Sequence, residues 1–518
     1  FDLWSRENRV GSVRLTSDNK ALAACVRHWC SARGVTFYWD IQPSNETSSS
    51  LLLRVYRGLP ARLKALIQFS RHIWSHWPLR GAGLDEWEKS KGDITFFSYL
   101  SNLENDVGQK GGFSSNFWGR LPDELSKNHC KTNWLHIFVS DSSHPTAKHG
   151  KIKIERFNKM GRGSQVHTAL EAFLSWSIAY NTLKDWFSIL KFVKVLEPTI
   201  SSVDSEGVHL WPLYKEEWRS SLRGAPAIMT ILNLNLFEAA VGVLPRQRIG
   251  VYLYEQQAWE IALIHSWKTE GHGVLVGAQH STMLDWDMRY FHDPRNYERS
   301  NHNDLPMPHM VATNGQAIME KSLKAGYPKD NLIGVEALRY LYLDILTKGK
   351  TTCEFTTTGV PRLLVLGDYL ESNTKNQMDL LVRTLVSFPL DIVITVKPHP
   401  ASMIDASDYP EIDIKVTMAP LGDLLEDCDL AYSSSVTSAA VDAYCFDVPV
   451  ITALDSNALN LSPLRNCDGV YFVSTSEELS EALRSITSRN FGSYEKKDFF
   501  TLDSELPRWK KLLLETNT

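Results

Sequence analysis

The chain contains 518 residues, with 55 lysines and arginines against 60 aspartates and glutamates, and 43% of its residues are hydrophobic. This composition excludes disorder as the main state, because the apolar residues suffice for packed cores. The formal charge of −5 excludes a general nucleic-acid binder, which carries a basic excess.

The cysteines and the apolar segments restrict the cellular location. Seven cysteines are scattered without a CxxC pair or a paired Cys/His spacing, which indicates free thiols in a reducing, cytoplasmic compartment. We expect no membrane span, since no apolar run reaches about 18 residues. The start FDLWSRENRV lacks the basic residues and apolar core of a secretory signal, and a chain that opens on Phe1 is expected to continue a longer one.

The first half of the chain alternates between strand and helix patterns. The predicted elements are strand–helix–strand over 13–41, strands at 92–100 and 132–140, helices over about 167–195 and 226–243, and alternating strands and helices over 249–314. This order predicts a Rossmann-like domain with helical insertions over residues 1–345.

Residues 51–80 are basic and aromatic, with six lysines and arginines, no acidic residue, and Phe69, Trp74 and Trp77 between the charges. One interpretation is the solvated face of a helix. The other is a contact with the acidic lipids at the inner face of the cytoplasmic membrane, where lysine, arginine and tryptophan are favoured.

A second α/β series follows a polar joint at 346–361. Its predicted elements are the strands RLLVLGD, DIVITVKPHP, IDIKVTM, CDLAYSSS, VPVITAL and GVYFVS, helices over 376–387, 436–445 and 476–487, and a short helix before CDLAYSSS. Strands that are apolar nearly throughout predict a parallel sheet covered on both faces. We therefore expect a second Rossmann-like domain over 346–495 and a last helix in 496–518 that crosses back to the first domain.

Two such domains form a cleft, and ligands of parallel sheets bind beyond the carboxyl ends of the strands. Lys397 and His399 follow a buried strand there, as a cation and an imidazole suited to phosphate, and Pro398 and Pro400 stiffen their turn. Gly367 ends the first strand of the second domain, where the backbone can approach a nucleotide closely.

Hydroxyl groups follow another strand of the same domain. Ser433, Ser434 and Ser435 come directly before a predicted helix, and Thr437 lies at its start. Serine caps helices, and a helix N-terminus attracts phosphate. The alternative is a capped helix without a ligand.

A strand that ends in K-x-H-P, followed by a strand that ends in a serine pair, resembles the bacterial sialyltransferases and capsule Kdo transferases. The stretches YLYEQQAWEIALIHSW, GHGVLVGAQHSTMLDWDMRYFHDPRNY and GVEALRYLYL are similar to a group of surface carbohydrate biosynthesis proteins. The resemblance implies a GT-B-like α/β fold, with an acceptor-binding first domain and a nucleotide-sugar-binding second domain. His399, Ser434 and Ser435 match the family residues that contact the CMP phosphate.

The function implied is transfer of a CMP-activated sugar acid, of the Kdo, sialic, legionaminic or pseudaminic type, onto a bacterial surface glycan or a lipid-linked glycan. The acidic D-G motif of the sialyltransferases has no clear counterpart here, so the base must come from other residues. Alternatives are a CDP-polyol phosphotransferase, a nucleotide-sugar epimerase, or a non-catalytic subunit of a capsule assembly system.

Candidate catalytic groups lie in the first domain. Glu255 and His280 each close a predicted strand, and a carboxylate beside an imidazole can deprotonate an acceptor hydroxyl. Asp285 and Asp287 follow in STMLDWDMRY. Either of them, or Glu255, is a candidate for the catalytic base or for a nucleophile that attacks the anomeric carbon. The competing interpretation is a helix cap for Glu255, a satisfied core histidine, and loop ion pairs for the aspartates.

Three further residues are candidates for substrate binding. Arg289 could hold the carboxylate of the sugar through a bidentate pair, and Glu336 and Arg339 lie beside the joint, where they touch the substrate or hold the hinge. No regular histidine spacing occurs in HDPRNYERSNHND, and one leaving phosphate can be offset by His399, Lys397 and a helix N-terminus. We therefore expect no metal and no other cofactor.

Overall fold

The structure is a computed structural model that describes residues 5, 7–8, 10–41, 58–103, 113–202, 208–297, 305–349, 359–455, 458–487 and 497–515. Two parallel sheets organise it, one in each half of the chain. Two parallel-sheet α/β lobes are the GT-B-like plan predicted from the sequence.

The first lobe is built on a sheet of seven parallel strands in the order β5-β4-β3-β6-β7-β8-β9. Its strands are β3 (Ile94–Leu100), β4 (Thr132–Phe138), β5 (Gln165–Ala169), β6 (Ile249–Leu253), β7 (Val274–Ala278), β8 (Met310–Thr313) and β9 (Leu332–Gly334). The middle strands are buried on both faces because they are rich in branched and aromatic residues, such as Phe96, Phe97 and Trp134.

Helices cover both faces of this sheet, and a small parallel ribbon precedes it. The ribbon consists of β1 (Ser12–Thr16) and β2 (Thr36–Asp40), joined by α1 (Lys20–Ala32). The helices that follow are α2 (Ala61–His76), α3 (Leu84–Glu88), α4 (Leu121–Lys127), α5 (Ala147–Gly161), α6 (Trp176–Ser201), α7 (Trp211–Arg223), α8 (Ala225–Gly242), α9 (Ala258–Thr269) and α10 (Gln316–Lys324). The next helix along the chain, α11 (Leu341–Gly349), packs on the second lobe.

The second lobe has a sheet of six parallel strands in the order β12-β11-β10-β13-β14-β15. Its elements are β10 (Arg362–Leu366), α12 (Glu371–Ser387), β11 (Val393–Lys397), β12 (Ile414–Val416), α13 (Leu421–Glu426), β13 (Leu430–Ser434), α14 (Ala439–Cys445), β14 (Val450–Ala453), β15 (Val470–Val473) and α15 (Ser476–Thr487). β10 and β13 pair at the centre, so the loops after them open at the middle of the cleft edge.

The C-terminal segment packs against the first lobe. Helix α16 (Pro507–Lys510) continues as one π-helical turn over Lys511–Glu515. Trp509, Leu512 and Leu513 lie buried in the core of the first lobe. Before this helix, the Ala337 amide donates to the Thr501 carbonyl at 2.9 Å.

Two local expectations are wrong. Residues 165–169 form β5 rather than belonging to a helix that begins near 167, because they pair in register with β4. Ser433 and Ser434 do not lie at a helix start, because both belong to strand β13, which pairs with β14 through Ser434, and α14 begins only at Ala439.

Helix α8 has the length and composition of a membrane span, with a mean hydropathy of 1.3 over 18 residues, 44% of which are buried in the protein. It contacts α2, α6, α7 and α9. The predicted joint at 346–361 begins within α11, and residues 350–358 lie outside the described part of the chain.

Candidate active site

A cavity of about 570 Å³ opens where β10, β11 and β13 end. Arg339 and Tyr342 reach its wall from the chain just before β10, where Tyr340 and its neighbours pack in the same hydrophobic cluster as the core of the second lobe. The polar residues that line it are Arg339, Tyr340, Tyr342, Lys397, His399, Asp423, Thr437, Ser438 and Asp442. This is the place at which a parallel sheet binds ligands.

His399 presents a hydrogen-bond donor to the cavity. The amide of Ala401 donates to Nδ1 of its ring at 3.1 Å, so the proton of the neutral ring is on Nε2. Burial lowers the pKa of His399, and the charge of Arg339 lowers it further, while Asp368 raises it. The ring is therefore neutral at neutral pH and donates through Nε2.

Lys397 and Gly367 shape the same wall. The Lys397 ammonium donates to the Ala419 carbonyl at 2.6 Å, and burial lowers its pKa. A Cβ on Gly367 would come within 3.0 Å of the His399 amide nitrogen and 3.1 Å of the Pro398 Cα. Glycine is needed here by the close approach of two backbones, and it lets the histidine turn reach the cavity.

The predicted serines divide between the interior and the turn. Ser433 lies 3.4 Å from the Thr452 hydroxyl, and Ser434 donates to the Asp368 carboxylate, so both hydroxyls are used inside the lobe. Ser435 is half-buried in the turn after β13. The structure therefore does not bring Ser433 and Ser434 into the cavity wall.

Beyond that turn, other hydroxyls reach the cavity. Thr437 lines it and donates to the Gly367 carbonyl at 3.1 Å. Ser438, which the sequence analysis missed, precedes α14 and lines the cavity as well. Thr437 thus couples the turn after β13 to the turn after β10.

Asp442 is a buried carboxyl group in the cavity wall that the sequence analysis also missed. Tyr342, at the start of α11, donates to its Oδ2, and Oδ1 has no partner among the described residues. Burial raises the pKa of Asp442 to about 6, and the Tyr342 hydrogen bond and the Arg339 charge lower it less strongly. The group can be either acid or base near neutral pH.

A second polar cluster lies beyond β6 and β7 of the first lobe. His280 Nε2 is 3.1 Å from Glu255 Oε1, and the Tyr99 hydroxyl donates to Glu255 Oε2 at 2.8 Å. Trp259 donates in turn to the Tyr99 oxygen at 3.0 Å. The structure thus brings Glu255 and His280 together, as predicted, and adds Tyr99 from β3.

Hydrogen bonds determine the charge of this cluster. Burial raises the pKa of Glu255, but the bonds from His280 and Tyr99 and the charge of Arg289 outweigh it, so the pKa is lowered overall. His280 Nδ1 is buried and has no hydrogen-bond partner within the described ranges. A histidine that donates Nε2–H to a carboxylate keeps a lone pair on Nδ1.

Glu260 anchors the loop that carries Glu255. Its Oε1 accepts the Glu255 amide at 2.9 Å and the Gln257 amide at 2.7 Å, which caps α9. Burial raises the pKa of Glu260 to about 8 against these two bonds. This carboxyl group therefore positions the loop, and no sequence signal distinguished it from an ordinary helix residue.

Asp285, Asp287 and Arg289 are engaged in local ion pairs. Asp287 holds Arg289 in a bidentate pair at 2.9 and 2.7 Å, and Asp285 lies 2.6 Å from the Lys321 ammonium. Asp285 lines a different cavity, of about 880 Å³, with Lys321 and Arg465. The guanidinium that was predicted to bind a sugar carboxylate is already paired.

The two residues near the joint have different positions. Arg339 is exposed in the cavity, where its charge acts on His399 and Asp442. Glu336 is buried, and its carboxylate accepts the amides of Arg508 and Trp509 at 3.0 and 3.1 Å. Glu336 therefore fastens α16 and does not join the cavity.

No family model matches the chain, and no curated protein matches it. Among solved structures, trehalose 6-phosphate synthase from Burkholderia multivorans has a TM-score of 0.41 at 10% identity, covering 77% of this chain and 91% of its own. UDP-GlcNAc 2-epimerase from Neisseria meningitidis has 0.42 at 8%, covering 76% and 92%. MurG from Acinetobacter baumannii has 0.37 at 9%, covering 76% and 90%. At scores below 0.5, these structures carry no weight in assigning a function.

Proposed function

We propose that the chain is a glycosyltransferase that moves a CMP-activated sugar acid onto a surface glycan. One observation carries the proposal. The cavity at the strand ends of the second lobe holds His399, Lys397 and Arg339, and the corresponding edge of the first lobe holds the Glu255–His280 pair. An anion site and an acid–base pair are the two parts that glycosyl transfer requires.

The leaving phosphate is assigned to His399 and Arg339. A neutral imidazole donates one hydrogen bond to a phosphate oxygen through Nε2, and the guanidinium can donate two with full charge. Lys397 adds charge close by, although the Ala419 carbonyl already occupies one of its three donors. Arg339 directly precedes Tyr340, which packs in the core cluster of the second lobe, so the three cationic or imidazole groups of this site belong to one lobe.

Asp442 supports cytidine rather than uridine as the nucleoside. Asp442 lines the cavity, but its Oδ1, which has no partner among the described residues, is buried beneath the cavity surface, so a nucleobase must displace the covering atoms to reach it. An aspartate typically accepts from the exocyclic amine of cytosine. Uracil presents a carbonyl oxygen at the same position, which would face this acceptor without a proton. The structural argument for CMP therefore depends on one carboxyl group.

His280 is proposed as the base. The acceptor must first open a path to Nδ1, which has no exposed surface in this structure. Its hydroxyl then gives its proton to Nδ1, its oxygen bonds to the anomeric carbon, and the bond from that carbon to the phosphate oxygen breaks with the electron pair leaving on CMP. Glu255 orients the ring and stabilises the imidazolium, and Tyr99 orients Glu255. This arrangement favours inversion, with no covalent intermediate on the enzyme.

Calorimetry with CMP and UDP tests the donor assignment. We expect CMP to bind at least tenfold more tightly, and His399→Ala to weaken CMP binding by about tenfold, which corresponds to one hydrogen bond to a charged group. His265→Ala, at an exposed histidine on α9, serves as the matched control. Preferential binding of UDP would overturn the donor claim.

Product analysis separates the alternatives. Release of free CMP with a new glycosidic bond supports transfer. A phosphodiester product would indicate a CDP-polyol phosphotransferase, and donor turnover without an acceptor would indicate an epimerase. Glycan production that survives His399→Ala in cells would point to an assembly subunit.

We also propose that the first lobe contacts an anionic membrane surface, which suits a lipid-linked acceptor. Trp74 on α2 is 86% exposed and Trp176 on α6 is 73% exposed, and the ring of Trp77 lies 4.8 Å from that of Trp176. Exposed lysines, among them Lys184 and Lys191, share α6 with Trp176. Residues 51–57 of the predicted basic stretch lie outside the described residues.

Sedimentation with vesicles tests this contact. We expect binding to vesicles that contain phosphatidylserine, loss of that binding in Trp74→Ser/Trp176→Ser, and little change in Val386→Ser, which removes an exposed apolar residue from α12. Equal loss in the control variant, or equal binding to neutral vesicles, would contradict the proposal.

A further inference from the structure

A cluster of potential metal ligands lies beside β5, the outermost strand of the first sheet, at the same carboxyl-end edge as Glu255 and His280 but separated from β6 by β4 and β3. His72 and His76 are one turn apart on α2, and Glu171 lies in the turn directly after β5. One ligand atom from each side chain falls within 4.8 Å of the other two. The sequence analysis missed this group, because Glu171 is distant in sequence from the histidine pair.

His76 has the orientation of a histidine ligand. Its Nδ1 is 2.9 Å from the His72 carbonyl oxygen, which can only accept, so Nδ1 carries the proton. The lone pair of the neutral ring is therefore on Nε2. A bond from the other ring nitrogen to a backbone carbonyl is the usual support of a metal-binding histidine, since it fixes the tautomer and the ring orientation.

Glu171 is a buried carboxylate that lacks a counter-charge. Backbone hydrogen bonds from Glu171 itself and from Phe138 reach its carboxylate, but Oε2 is buried and has no partner among the residues described. Burying a carboxylate without a cation is costly. In agreement, burial raises the pKa of Glu171 to about 7. Burial, together with the charge of the neighbouring His76, lowers the pKa of His72 to about 3.

We propose that His72, His76 and Glu171 bind a divalent first-row metal ion such as Zn²⁺. Two imidazoles and a carboxylate are a common zinc ligand set, with water as the fourth ligand. Ligand atoms around tetrahedral zinc lie about 3.4 Å apart at bonds of about 2.1 Å. The two imidazoles are stacked, with ring centroids 3.9 Å apart and planes at 20°, so ion binding requires the rings to turn until both lone pairs point at one position. The histidines are only half-buried, so an ion can enter.

The position of the cluster indicates a structural role. β5 is the outermost strand of the sheet, whereas the Glu255–His280 pair follows β6 and β7, beyond β4 and β3. A metal ion here ties α2 to the edge strand. It would hold in place the helix that carries Trp74, without taking part in glycosyl transfer.

The test is Zn²⁺ titration of the full chain, free of a polyhistidine tag and stripped with a chelator, against a chromophoric competitor. We expect one equivalent of tight binding and at least about a hundredfold weaker binding in His76→Gln and in Glu171→Gln, as expected for loss of a direct ligand. His265→Gln removes an exposed histidine beside Glu238 and is the matched control. Mg²⁺, which prefers oxygen ligands, should not compete.

X-ray absorption of the zinc-loaded wild type keeps the test decisive if a variant fails to fold. Two imidazole nitrogens together with oxygen ligands support the site. Absence of stoichiometric zinc binding, or a ligand shell made of oxygen atoms only, would overturn the proposal. It would also be overturned if both ligand variants kept their zinc affinity, or if His265→Gln lost as much affinity as they do. CMP affinity is expected to be the same with and without Zn²⁺, so this test and that of the nucleotide site fail independently.

Discussion

Replacing Asp442 with asparagine should make the protein more stable and less able to bind CMP. The carboxyl group is buried, its Oδ1 is unpartnered within the described chain, and Tyr342 donates to its other oxygen. Asparagine keeps the shape and an oxygen acceptor for Tyr342, but it has no charge to desolvate. The substitution therefore removes the desolvation free energy of the buried carboxylate, which destabilises the wild type only when Asp442 is ionised.

The magnitude follows from the pKa of Asp442, about 6 in the folded protein against an ordinary 3.8. Since the folded state holds the proton more tightly, wild-type stability falls as pH rises from 3.8 to about 6, and the loss is complete above that range. At about 1.4 kcal/mol per pKa unit, this difference between the two pKa values lowers the free energy of unfolding of the ionised protein by about 3 kcal/mol. Because this pKa already includes the Tyr342 hydrogen bond to the carboxylate, the gain expected for Asp442→Asn above pH 7 is that same amount.

Urea unfolding of wild type and Asp442→Asn at pH 4.5, 6 and 8 measures this difference. All other titrating groups are shared, so the difference between the two proteins isolates Asp442. We expect a gain that grows with pH and levels off near pH 7. Asp423→Asn, at an exposed position on the same cavity, should change stability by less than about 0.5 kcal/mol.

Two results would refute this reasoning: a variant no more stable than wild type at pH 8, or a gain that is independent of pH. Calorimetry with CMP is the second readout. If Asp442 accepts from the cytosine amine, the variant loses about tenfold in CMP affinity while gaining stability. Unchanged CMP affinity would remove Asp442 from the nucleoside site without affecting the pKa argument.

His280→Asn should lower kcat by about 10²–10⁴ and leave CMP affinity unchanged, and an equal loss in both would contradict a role as base. Gly367→Ala should weaken CMP binding by about tenfold, because the added Cβ comes within 3.0 Å of the His399 amide nitrogen and displaces the histidine turn. Unaltered CMP affinity would show that the turn accommodates the methyl group without moving His399. Glu336→Gln should destabilise the C-terminal helix by about 1–2 kcal/mol, since its carboxylate holds the Trp509 amide. Hydrogen exchange of α16 measures this, and unchanged protection would contradict it.

The strands of both lobes could be predicted because their sequences are apolar almost throughout, as in RLLVLGD of β10. β5 was missed because QVHTA carries three polar side chains and becomes a strand only through its pairing with β4. In β13 the serines continue the strand, since their backbones pair with β14. Pairing partners distant in the chain, rather than local propensity, decided these two cases.

The same distinction explains which site residues were found. Lys397, His399 and Thr437 follow strands, and the topology of a parallel sheet alone places them at the cleft. Asp442 is invisible in the sequence because its acidity depends on burial and on Tyr342, which lies far away in the chain. Arg289 could not be excluded beforehand, because the pair with Asp287 depends on the path of the loop between them.

The donor cavity depends on the C-terminal segment as well as on the second lobe. Arg339 follows Ala337, whose amide bonds to the Thr501 carbonyl, and Thr501 donates in turn to the Asn314 carbonyl of the first lobe at 2.6 Å. The segment therefore fixes the stretch from which Arg339 enters the cavity beside His399. Arg339 is the fully charged group proposed to bind the leaving phosphate. The contacts of the C-terminal segment are therefore expected to change the affinity for the CMP-sugar without touching it.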